Sequence, residues 1–161
     1  MKIGQTLLLL FLTALGITLL ALFFTGSIGT AVAKAPANVD QNGVGIQGYD
    51  PVAFFTDGKP VLGKEEFHST YHDVIYYFAS AEHQAAFEKG PETYEPQFGG
   101  YCAYGVAQNH LAPVKVDAFQ IVNGRLLMQY DTSVRDTFNK DQSGNLQAAD
   151  RNWPELIKNQ K

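Results

Sequence analysis

Cysteine is almost missing from this chain. Cys102 is the only one in 161 residues, so the protein cannot close a disulfide of its own. It needs none, because a chain of this size buries roughly two-thirds of its unfolded surface and can hold a core by packing alone. Excess basic charge is missing too. Twelve Lys and Arg stand against sixteen Asp and Glu, for a formal net charge of −4. No basic patch appears, which sets nucleic acid aside as a partner. The sequence also lacks repeats, low-complexity tracts, a Gly-rich phosphate loop, paired catalytic carboxylates and a zinc-protease signature. The enzyme classes that those motifs define are excluded with them.

What is present begins with an export signal. Met1 and Lys2 supply positive charge, and Leu7–Phe24 is an apolar run broken only by Thr13, Gly16 and Thr18. A membrane-spanning helix needs about 20 apolar residues, so this run lies at the border between a signal core and an anchor. Ala31-Val32-Ala33 places small residues where a signal peptidase reads. The expectation is a signal segment over residues 1–33, cleaved after Ala33, with an uncleaved membrane anchor as the alternative. In either case the chain after Lys34 is delivered to the periplasm or the cell exterior. The membrane then enters only through that segment.

Residues 34–45 are small and polar, with Pro36 and Gly43, and read as a flexible tether. The folded domain is expected over 46–157. Asp50 before Pro51 suits a helix cap followed by Pro in the first turn. Val74–Phe78 joins two β-branched residues to three aromatics and predicts a strand. His72-Asp73 makes the hairpin turn before it. Ser80 caps a helix over Ala81–Lys89, with Glu82 in the first turn, and Gly90-Pro91 ends it. Gly99-Gly100 leads into a short helix over Tyr101–Gln108. Asn123-Gly124 between two apolar runs predicts a second hairpin. Ser133 is expected to cap a helix from Val134 to Lys140, Ser143-Gly144-Asn145 to break it, and Leu146–Asn152 to form a last helix before Trp153-Pro154. The fold class is α+β: small antiparallel hairpins packed against short helices in one domain.

Asp50-Pro51-Val52, Tyr77-Phe78, Ser80, Phe87 and Pro91-Glu92-Thr93-Tyr94 together resemble the YHS domain, a small module often attached to metal-handling proteins. Gly99-Gly100-Tyr101-Cys102-Ala103-Tyr104, Phe119–Gly124 and Asn152-Trp153-Pro154 resemble a subgroup of short exported bacterial proteins that carry it. The family pattern has three cysteines that this chain replaces. Ala53, Ala79 and His83 stand at those positions. Thiolates are what select soft metals, so the family's metal site is not inherited, and metal binding would need a different ligand set.

The soft or borderline ligands available are Cys102, His68, His72, His83 and His110. A metal set would draw on Cys102, His83, His68 and His72, with copper or zinc as the ion. His68 and His72 are four apart and share a face if the backbone is regular; otherwise they are solvated turn residues. His83 reads as a surface residue of its helix unless Cys102 lies beside it. Four outcomes are open for Cys102: a buried apolar thiol, a metal ligand, a reactive thiol, or a bond to another chain. Tyr101 and Tyr104 could wall a cavity beside it, with His110 close by.

The resulting reading is an exported, non-catalytic YHS-type binding domain that holds a transition metal or small molecule near Cys102. Two alternatives stand beside it. One is a thiol-dependent enzyme using Cys102 with His110 or His83 as base. The other is an envelope structural or interaction module without a ligand.

Overall fold

Two β-hairpins form the sheets of the structure, a computed structural model that describes residues 36–158. In the first, β1 (Lys64–Tyr71) pairs antiparallel with β2 (Val74–Phe78). His72 and Asp73 form its turn, with φ of 48° and 62°. Two left-handed residues match the twist of a tight hairpin even without glycine. In the second, β3 (Lys115–Val122) pairs with β4 (Arg125–Gln129) across Asn123-Gly124, both also at positive φ. The expected signal peptide or anchor (1–33) lies outside the described residues.

Short helices pack around the hairpins. They are α1 (Ala53–Thr56), α2 (Ala81–Lys89), α3 (Pro91–Tyr94), α4 (Ala103–Ala107), α5 (Thr132–Asn139) and α6 (Gln142–Lys158). The class is therefore α+β, as expected, in one domain. Ser80 caps α2 by accepting from the His83 N–H. Among the described residues no helix is long and apolar enough to cross a membrane.

β4 divides the core. Leu126 and Met128 face a cluster with Phe54, Phe78 and Phe87, while Leu127 faces another with Phe98, Val106 and Phe138. This is the period-two alternation of a strand, with both faces covered.

Three sequence expectations are corrected. The stretch expected as a tether is bonded to the domain from its first described residues. The Asn38 N–H donates to the Gly99 carbonyl at 2.8 Å, and Val44 is buried. Gly99 has a φ of +59°, and a Cβ there would collide with the Pro36 carbonyl, so this close approach depends on glycine. Asp131, not Ser133, caps α5, because its carboxylate reaches the Val134 N–H at 2.9 Å. Finally, Ser143-Gly144-Asn145 does not break the chain but opens α6. Asp141 accepts from the Gly144 N–H at 3.0 Å and caps that first turn. α6 then continues through Pro154, its end held by Trp153 and Leu156 packing on the second cluster.

Candidate functional site

Cys102 sits immediately before α4 and is 1% exposed. The Gly105 and Tyr130 N–H groups donate to its sulfur at 3.4 and 3.3 Å. The thiol donates to Gln129 Oε1 at 3.3 Å, and that oxygen also accepts from the Tyr104 N–H. The Tyr104 contact requires an oxygen, which fixes the amide orientation and makes the thiol a donor. The sulfur is thus a buried knot joining the start of α4 to the end of β4. Of the four outcomes open for Cys102, the structure shows the buried thiol, and it does not lie at a cavity. None of its three bonds goes to an imidazole. His110 is exposed, with its Nε2 3.4 Å from where a Gly105 Cβ would lie. Tyr101 is half-buried and its hydroxyl donates to the Ala37 carbonyl at 3.4 Å. We expect iodoacetamide to label Cys102 at least about a hundredfold more slowly in the native chain than in urea. Equal rates would show the thiol to be open.

The metal candidates are dispersed. Among the described residues, no three His, Cys, Asp or Glu side chains gather into a group that could hold a metal ion. His68 is exposed on β1, its Nδ1 2.9 Å from the Glu65 carbonyl. His72 leaves the strand at the turn, so the two do not share a regular face.

His83 is not the surface residue expected. Its Nδ1 lies 2.6 Å from Oδ2 of Asp50, a carboxylate with no exposed surface, while the His83 side chain is 22% exposed. The Ala79 N–H donates to the same Asp50 oxygen at 2.8 Å. The other oxygen accepts from the Val52 and Ala53 N–H groups at 2.8 and 3.3 Å. A carboxylate can only accept, so in the ionised pair the His83 proton lies on Nδ1. Asp50 therefore caps α1 from upstream and also fixes the imidazole at the start of α2. The sequence revealed the cap but not the partner, which lies 33 residues away.

A cavity of about 590 Å³ opens elsewhere, and neither Cys102 nor His83 lines it. Phe98, Pro96, Tyr76 and Trp153 form its apolar walls, with Pro36 and Ala37 at one edge. Two charged pairs border it. Arg125 donates to both carboxylate oxygens of Asp150 at 3.0 and 2.7 Å. His72 Nδ1 lies 3.3 Å from Glu95 Oε2. Burial holds the Glu95 carboxyl above the ordinary glutamate range, with the His72 contact and charge pulling back and the Glu92 charge adding to the rise. The Tyr76 phenol is pushed up by its own burial first and then by Glu95. Apart from His72, sequence reasoning did not select these lining residues. The signal available was Trp153, the chain's single tryptophan.

No protein-family model, curated protein or solved structure matches the chain significantly.

Proposed function

We propose that this chain is an exported, non-catalytic binding domain of the YHS type, and that its ligand is a small molecule held in the cavity beside Trp153. The observation that carries the reading is the cavity itself. Its volume falls in the range of small-molecule sites, roughly 300–1,000 Å³, and it combines apolar walls with a few converging polar groups. Export rests on the charged start, the apolar run and the Ala31-Val32-Ala33 site. The thiol-dependent enzyme is less well supported, because its nucleophile would be 1% exposed.

Trp153 makes the test direct. As the only tryptophan, it reports cavity occupancy through its own emission. A screen of small aromatic and heteroaromatic compounds against the full chain should yield at least one that shifts this emission saturably. The same compound should raise the melting temperature by mass action. If compounds that stabilise the chain leave Trp153 emission unchanged, ligand binding lies outside this cavity and the reading fails.

A further inference from the structure

The cavity's charges are unequally compensated, and on the reading above this sets the ligand's chemistry. The Arg125 guanidinium is already paired. It grips Asp150 through two parallel hydrogen bonds, donates through Nε to Gln97 Oε1 at 3.0 Å, and lies 5.5 Å over the Phe98 ring. Such a fork-to-fork pair is among the stronger contacts of its kind. Here it ties β4 to α6, and an incoming organic acid would have to share the guanidinium with Asp150.

Glu95 is in the opposite condition. Its carboxyl is half-buried, and its side-chain partner among the described residues is an imidazole 67% exposed to solvent at a long 3.3 Å. That imidazole carries charge only when protonated, and its other ring contact is with Tyr71, at 3.9 Å between centroids. Tyr76, Phe98 and Trp153 line the same cavity as Glu95. Aromatic faces attract cations, tryptophan most strongly. A partly desolvated carboxylate in a ring-lined cavity suits a positive head on an apolar body.

We propose that the cavity takes an organic cation, an ammonium or amidinium on a small apolar body, with its head at Glu95 and its body against Trp153 and Phe98. The cation displaces His72 from Glu95 and leaves the Arg125–Asp150 pair intact.

The test uses three probes that share one ring and differ in one group: benzylamine, benzyl alcohol and benzoate. Each is titrated against the full chain at pH 7.5 with Trp153 emission as the readout. Benzylamine should bind about tenfold more tightly than benzyl alcohol, the value of one charge-assisted hydrogen bond, and benzoate should bind most weakly. Glu95→Gln should abolish the preference for benzylamine while leaving benzyl alcohol binding unchanged. His72→Ala, at an exposed turn position, should tighten benzylamine binding by removing the competing imidazole. It also serves as the second variant if Glu95→Gln does not fold. Benzoate binding as tightly as benzylamine, or a preference that survives Glu95→Gln, would overturn the charge assignment and leave the cavity reading standing. A silent Trp153 with all three probes would overturn both.

Discussion

Asp50→Ala is expected to cost about 3–5 kcal/mol in urea unfolding, enough to remove much of the stability of a small domain. The carboxylate is fully buried and accepts from three backbone N–H groups as well as from His83. Truncation orphans all four donors at once. Each buried donor left without a partner costs about 1–3 kcal/mol. The sum is smaller than four such costs, because Ala79 and His83 are only partly buried and water can reach them. Asp50→Asn should cost less. Its carbonyl oxygen can keep the Val52 and Ala53 N–H groups, and its amide can donate to His83 once the imidazole proton moves to Nε2; only the Ala79 N–H is then stranded. His83→Ala should be the mildest of the three, since the carboxylate keeps its backbone donors. A cost below about 1 kcal/mol for Asp50→Ala would show that these contacts contribute nothing net.

Phe87→Ala is the second large effect, at about 3–5 kcal/mol. Phe87 is 1% exposed and projects from α2 into a cluster of rings. Its centroid lies 5.0 Å from Tyr76, 5.1 Å from Phe78, 6.1 Å from Tyr71 and 6.5 Å from Tyr94. One side chain thus joins α2 to both strands of the first hairpin and to α3. The neighbouring rings belong to different elements and cannot collapse together into the gap, which places the cost at the upper end of core truncations. Phe87→Leu retains most of the volume and should cost less than half as much. Equilibrium denaturation should show a lower midpoint with an unchanged slope. A loss under about 1.5 kcal/mol would mean that the site relaxes around the missing ring.

These two residues also mark the boundary of what the sequence discloses. Phe87 was legible because its helix is written locally: Ser80 before it, Gly90-Pro91 after it, and apolar residues on one side. α2 and β2 keep the expected limits for the same reason, and Asn123-Gly124 places the second hairpin. The failures came where a distant or unexamined partner decides. Ser143-Gly144 reads as a break until the Asp141 carboxylate is found capping it. Residues 36–45 read as a tether because their polar composition carries no trace of the Gly99 carbonyl that receives them.

The sites follow the same rule. Cys102 was conspicuous as a lone thiol, but its burial is set by a bridge to Met128 and by Gln129, more than twenty residues away. Gln129 ends an apolar run, and nothing in its neighbours marks it as fully buried. His83 reads locally as a surface residue of its helix, yet its role depends on Asp50 across the fold. The cavity is assembled from separate stretches near residues 36, 72–76, 95–99, 125 and 150–157. No local spacing encodes such a convergence.

Pro36 and Ile157, close to the two ends of the described chain, border that same cavity. A circular permutant of residues 36–158 that joins those two positions through a short linker and opens at the exposed Asp57-Gly58 turn would place its new ends on residues that do not line the cavity. The new linker would then run along the rim, where its length and composition become a means of gating access.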